Sequence, residues 1–286
     1  MSKKLEKASF QGERGAFSEI AAAQLLPGAE VVPCARFEDV FKRLKDGEVT
    51  AAVVPIENTL HGSVYENYDH LLNHDLPIVA ETRVRIVHNL IAAPGVRYKD
   101  VKKIYSHPVA LNQCLKFFAA NAEFEREIFY DTAGSVKMVM ERGLRDAAAI
   151  ASAAAAGIYG ARILRRSIED DRENFTRFFL LRRPEAASRA ARKPRDGHVK
   201  WKTSLVFTTR DSPGALFRSL SALALRDLSL TKIESRPLRG KPWEYLFYVD
   251  FLGHIDDPAP RNAISHLQET SDFLRILGCY PECGRI

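Results

Sequence analysis

Before residue 184 the chain alternates short apolar runs rich in β-formers with amphipathic stretches of helical period, and that alternation constrains its fold more than any other feature. The spacing predicts strands at Glu30 to Cys34, Ala51 to Pro55, Pro77 to Ala93, Lys103 to Tyr105, Glu127 to Tyr130, Ala148 to Ala151 and Thr176 to Leu181. Helices fall between them at Ala16 to Leu26, Phe37 to Lys45, Val109 to Asn121 and Gly134 to Arg142. Such an order gives an α/β fold with a mostly parallel sheet. The long run from Pro77 to Ala93 reads as one strand carrying the chain between two lobes, with the strand around Thr176 returning and a ligand cleft between the lobes.

After residue 200 the order changes to βαββαβ, a ferredoxin-like unit. Its strands are expected at Trp201 to Thr209, Leu228 to Arg236, Trp243 to Leu252 and Phe273 to Tyr280, with helices at Pro213 to Arg226 and Pro258 to Thr270. The net charge of +6 raises the question of nucleic acid, which its location answers. Between Arg182 and Lys200 lie seven basic residues and two acidic ones, among Pro184, Pro194, Gly197 and several alanines, so the excess belongs to a solvated linker. The sequence is therefore read as 7–183, a two-lobed region hinged near 82–86 and 160–175, then a linker 184–200, then 201–286. No membrane-length apolar run is present and four dispersed cysteines fit reduced thiols, so the expectation is a cytoplasmic protein binding neither nucleic acid nor membrane.

Four junctions that lead into helices carry short polar residues and glycine: Gln11 to Ser18, Pro55 to Val64, Ser106 to Pro108, and Asp131 to Ser135. Each alone suits helix capping. Together they suggest helix N-termini converging on a small carboxylate or phosphate. His61, His88 and His107 are scattered in sequence and give no metal-ligand spacing. Neither a dinucleotide fingerprint nor a phosphate loop occurs. The run Asn174-Phe175-Thr176-Arg177-Phe178 places a neutral donor and a fixed cation at the mouth of a strand.

Gly15-Ala16-Phe17-Ser18, Pro55-Ile56-Glu57-Asn58, Gly62-Ser63-Val64, Ser106-His107-Pro108 with Gln113-Cys114, and Asn174-Phe175-Thr176-Arg177-Phe178 together resemble bacterial prephenate dehydratase. Pro213-Gly214-Ala215-Leu216 and Glu234-Ser235-Arg236-Pro237 look like the phenylalanine-binding motifs of its regulatory ACT domain. The resemblance implies a catalytic region like type II periplasmic binding proteins, turning prephenate into phenylpyruvate with loss of water and carbon dioxide, without metal or organic cofactor. It also implies homodimers or homotetramers assembled through ACT domains, with phenylalanine as allosteric ligand. Thr176 corresponds to the family's essential threonine, while Glu57, Asn58, Ser106, Gln113 and Asp131 match positions implicated in activity or binding.

For that reaction Thr176 is the candidate donor to the departing ring hydroxyl, with Glu57 or Asp131 as a relay. The carboxylate lost as carbon dioxide asks for an apolar wall, from Phe175 or Phe178. The pyruvyl carboxylate asks for a clamp, from Arg177 or the amides around Thr59, Gly62 and Ser106, with Asn58, Gln113 and Asn174 as further contacts. In a regular strand Thr176 and Arg177 point to opposite faces, so either the strand starts later or Arg177 is structural. Arogenate dehydratase and a non-catalytic two-lobed amino-acid sensor are the competing readings.

Overall fold

The computed structural model describes residues 6–190, 199–210, 212–238, 240–241 and 243–284. It divides into two compact units: residues up to His74 with Thr82–Leu180, and Asp75–Glu81 with the chain from Leu181 onward. The second unit thus takes in a short segment that the sequence reading places in the first.

The first unit runs β1 (Lys7–Gln11), α1 (Phe17–Leu25), β2 (Glu30–Cys34), α2 (Phe37–Lys45), β3 (Ala51–Asn58), β4 (Gly62–Ser63), α3 (Tyr65–Asn73) and the end of β5 (Ile78–Arg85). It continues through β6 (Asn89–Ala92), β7 (Lys103–Ser106), α4 (Pro108–Asn112), α5 (Leu115–Ala119), β8 (Glu125–Ile128), α6 (Thr132–Glu141), β9 (Ala147–Ala151), α7 (Ala153–Ile158), β10 (Arg162–Arg165) and β11 (Phe175–Leu181). These strands form two sheets. In one the order is β5-β11-β3-β1-β2, with β4 folded back antiparallel on β3; in the other it is β10-β6-β9-β7-β8. The β1–β2 and β1–β3 pairs are parallel, as βαβ crossovers require.

Burial explains the least strand-like of these segments. Every residue of β9, Ala147 to Ala151, is buried, and its methyl groups let α6 pack closely on it around Val136 and Val139. The run from Pro77 to Ala93 is not one strand. It breaks at 86–88 into β5 and β6, which belong to different sheets, because His88 N–H turns to the Glu169 carboxylate (2.9 Å) instead of a strand partner. The chain crosses between the sheets there and again at 166–174, and the two crossings are joined by Ile86 N–H donating to Asn174 O at 2.8 Å.

The second unit holds α8 (Pro184–Ala190), β12 (Trp201–Thr208), α9 (Ala215–Ala224), β13 (Leu230–Pro237), β14 (Tyr245–Leu252), α10 (Pro258–Thr270) and β15 (Leu274–Pro281). Its strands lie in the order β13-β14-β12-β15, every neighbouring pair antiparallel, over a core of Leu205, Phe207, Leu223, Val249, Phe251 and Leu267. That is the ferredoxin-like arrangement expected. The first part of the presumed linker is helical, Pro184–Ala190 forming α8, while 191–198 lie outside the described residues. Among the described residues no helix is long and apolar enough to cross a membrane.

Candidate active site

Strand β3 is buried through Val54 and turns polar only at its end, in Glu57 and Asn58. Asn58 Oδ1 accepts the backbone N–H groups of Leu60 (3.0 Å) and His61 (2.9 Å), a side-chain turn that leads into β4, where Gly62 takes φ +77°. Two donors on that oxygen fix which atom is Nδ2. Nδ2 reaches Asn174 Oδ1 (2.8 Å), Thr176 Oγ1 (3.0 Å) and Phe175 O (3.1 Å). The Thr176 hydroxyl therefore accepts from Asn58, which leaves its own O–H to be donated.

Thr176 lines a cavity of about 400 Å³ within the first unit, a size suited to a small metabolite. Asn58, His61 and Gly62 join it from the side of the first sheet; His88, His107, Gln113 and Thr132 come from elements of the second. Phe17, Val64, Ile86 and Val109 supply apolar wall. Lysine, arginine, aspartate and glutamate are absent from the described lining, so the three histidines are its ionisable groups. Burial lowers the pKa of His88, and burial together with His61 lowers that of His107. His107 Nδ1 accepts Val109 N–H at the start of α4 (3.2 Å). Gln113 stands between two of the rings, with Oε1 2.8 Å from His88 Nε2 and Nε2 3.3 Å from His61 Nδ1.

The single helix expected at Val109 to Asn121 is two, α4 and α5, and the break delivers Gln113 to the cavity. The Asp170 carboxylate accepts Leu115 N–H (2.8 Å) and Lys116 N–H (2.9 Å), capping α5 from 55 residues away, while Asp170 N–H donates to Gln113 O (2.8 Å).

Of the residues singled out from sequence, the cavity gathers Asn58, Gly62, Gln113 and Thr176. The others stand around it. Arg177 is buried, its guanidinium 4.7 Å from the centroid of the Phe179 ring and 3.9 Å from the Glu57 carboxylate, so strand alternation sends it and its partner away from the face that carries Thr176. Phe178 is packed in the core, which removes it as the apolar wall. Thr59 stitches β3 to β11, donating to Glu173 O (2.7 Å) and accepting Phe175 N–H (3.0 Å). The buried Ser106 hydroxyl donates to Ile150 O (2.7 Å). Asn174 acts from behind, through Asn58. Asp131 caps α6 by accepting Gly134 N–H (2.6 Å); burial raises its pKa, and Gly12, at φ +112°, is where the loop after β1 approaches it, since a Cβ there would stand 2.9 Å from Asp131 Oδ2.

Sequence reasoning does not assign site roles to Phe17, His61, His88, His107 or Thr132, which all line the cavity. His107 and Thr132 sit at helix starts in loops already marked as anion-binding candidates, and Phe17 and His61 lie in two more. His88 is hidden inside the run read as continuous strand. The three histidines, scattered in sequence, surround one space; among the described residues, no three His, Cys, Asp or Glu side chains are grouped to hold a metal ion.

In the second unit, Gly214, Ala215 and Leu216 line a cavity of about 270 Å³ with Arg210, Phe217 and Trp243. Gly214 has φ +74° at the start of α9, a conformation that favours glycine. Glu234, Ser235, Arg236 and Pro237 end the edge strand β13 and do not line that cavity.

The first unit is a two-sheet α/β protein with an open cavity of small-molecule size lined by uncharged polar side chains, histidines and apolar groups. The chain belongs to the prephenate dehydratase family: the family model described as prephenate dehydratase matches residues 8–186. It is 43% identical over 284 residues to "Arogenate dehydratase/prephenate dehydratase 2, chloroplastic" of Arabidopsis thaliana, covering 96% of this chain and 72% of the relative. A solved prephenate dehydratase in complex with L-Phe, from Arthrobacter aurescens, superposes with TM-score 0.86 at 32% identity, covering 96% of this chain and 90% of that one. Another solved structure, titled "GqqA- a novel type of quorum quenching acylases", gives TM-score 0.87 at 34% identity over 96% of this chain and 98% of that one.

Proposed function

We propose that this chain converts prephenate to phenylpyruvate in phenylalanine biosynthesis, with phenylalanine as feedback ligand. The observation that carries the reading is the Thr176 hydroxyl, held as an acceptor by Asn58 Nδ2 at 3.0 Å and so free to give its own hydrogen bond inside the cavity. In the reaction the ring C–O bond breaks and the departing oxygen takes a proton from water. The ring C–C bond to the carboxylate breaks in turn, releasing carbon dioxide and leaving its electron pair in the new aromatic ring. Thr176 lowers the barrier by hydrogen bonding to the leaving oxygen as negative charge grows on it, an effect on the order of 10²- to 10⁴-fold. Phe17, Val64, Ile86 and Val109 form an apolar wall against which the carboxylate to be lost gains little ground-state stabilisation.

A relay through Glu57 or Asp131 has little support, since neither lines the cavity. The lining also bears on prephenate against arogenate: without a carboxylate to face an ammonium group, it suits the keto acid. Incubating the protein with each substrate and following phenylpyruvate or phenylalanine tests this; kcat/KM favouring arogenate overturns the preference, and no product from either returns the reading to a non-catalytic sensor. A second reading is acyl-bond hydrolysis, the activity named for one structural neighbour. Hydrolysis through a threonine nucleophile requires a general base on the hydroxyl, and here an amide holds it.

For regulation, the support is the cavity beside Gly214 to Leu216 together with the L-Phe complex of the Arthrobacter aurescens relative. Glu234 to Pro237 lie elsewhere on the same unit, so we place phenylalanine where a second copy brings its edge strand to that cavity, in a homodimer or homotetramer. Inhibition that persists in Gly214→Val and Ser235→Ala variants argues against the site. A cytoplasmic setting belongs to the same reading; all four cysteines are free, as a reducing compartment keeps them.

A further inference from the structure

His88, Gln113 and His61 form a chain of contacts along the cavity wall that the leaving-group step does not use. His88 is 2% exposed, and burial keeps its imidazole neutral, with a single ring proton. Its Nδ1 is buried without a hydrogen-bond partner. An orphaned buried N–H is rarer than an orphaned acceptor, so the proton sits on Nε2, 2.8 Å from Gln113 Oε1. That bond turns the Gln113 amide so that its NH₂ group faces His61 Nδ1 at 3.3 Å. Accepting at Nδ1 leaves the His61 ring proton on Nε2.

We propose that this chain fixes His61 as a hydrogen-bond donor to an acceptor oxygen at the pyruvyl end of the substrate, making His61 a substrate-binding residue and His88 a positioning residue that acts through Gln113. The inference rests on the dehydratase reading and deepens it. Thr176 serves the ring hydroxyl at the opposite end. An N–H of fixed sense suits a keto or carboxylate oxygen and faces an ammonium group with the wrong end of its dipole, so the chain also selects a 2-oxo acid over the corresponding 2-amino acid.

The test combines ¹⁵N-histidine NMR of the ligand-free protein with kinetics. Wild type is expected to show His61 protonated at Nε2 and bare at Nδ1. His88→Phe, which keeps an aromatic ring against Phe17, is expected to give mixed His61 tautomers, KM for prephenate raised about tenfold with kcat little changed, and a smaller preference for prephenate over arogenate, the loss of about one hydrogen bond to a charged group. His88→Gln, which can still donate an N–H toward Gln113, is expected to restore both. An Nδ1–H tautomer in wild type overturns the proposal, as does a folded His88→Phe protein with unchanged tautomer and KM. If His88→Phe does not fold, the wild-type and His88→Gln spectra decide. Wild type that yields no phenylpyruvate overturns the functional reading alone, because the tautomer is read without substrate.

Discussion

At Thr176, valine keeps the β-branched shape that β11 accommodates and removes only the hydroxyl. Thr176→Val is expected to lose about 10²-fold or more in kcat with an unchanged melting temperature; near-wild-type turnover on folded protein contradicts the donor role. Asn58→Asp is the sharper variant. One carboxylate oxygen still serves the turn to Leu60 and His61, but the other replaces the donor to Thr176, and the hydroxyl can bond to it instead of the substrate. Activity should fall as far as in Thr176→Val, and stability by about 1–3 kcal/mol in urea titrations, because the carboxylate now faces Asn174 Oδ1 and Phe175 O. His88 carries a pH dependence with a definite sign. Its folded pKa lies below the ordinary value while the unfolded ring titrates near about 6.5. The unfolded state therefore binds the extra proton, and stability is full above about pH 6.5 and declines below it. Denaturation midpoints compared at neutral and acid pH should converge in His88→Gln relative to wild type.

Among the elements, the junction of α4 and α5 shows how a helix end can be dictated from afar. Asp170→Ala removes the cap on Leu115 and Lys116 and is expected to cost about 1 kcal/mol in thermal or chemical unfolding, while the backbone N–H at position 170 still reaches Gln113 O. That junction also marks where sequence reading ends. The strand at Phe175–Leu181 and the helix Phe37–Lys45 follow from local period, because the first buries a continuous run and the second one face. The α4–α5 break depends on a carboxylate 55 residues distant, and the β5–β6 break on Glu169 receiving His88 N–H, contacts that no local pattern carries. For the site, Thr176 and Asn58 were legible as polar residues at strand ends. Arg177 was conspicuous for its charge, yet the alternation of β11 turns it toward Phe179 and Glu57. His61, His88 and His107 had no shared spacing to reveal them, since three separate elements bring them to one cavity.

Across the molecule, stability in the second unit depends on one buried charge pair. Lys202 Nζ lies 2.6 Å from Glu81 Oε1, both side chains almost wholly enclosed, and the same oxygen accepts Cys283 N–H at 3.1 Å. The start of β12 and the residues after β15 thus share a carboxylate from the segment Asp75–Glu81. Lys202→Met takes the ammonium group away from that buried carboxylate and is expected to destabilise the protein by on the order of 3–5 kcal/mol in chemical denaturation, whereas the double change with Glu81→Leu should recover much of it. The first unit has its own seam in the crossing residues Glu169 to Thr176. The Glu169 carboxylate receives His88 N–H, Asp170 caps α5 and holds Gln113, Asn174 O receives Ile86 N–H, and Thr176 accepts from Asn58. Eight consecutive residues therefore clasp both walls of the cavity. In amide hydrogen exchange, the N–H groups of Ile86, His88, Leu115 and Lys116 should open as one cooperative unit and slow together when a ligand fills the space between them.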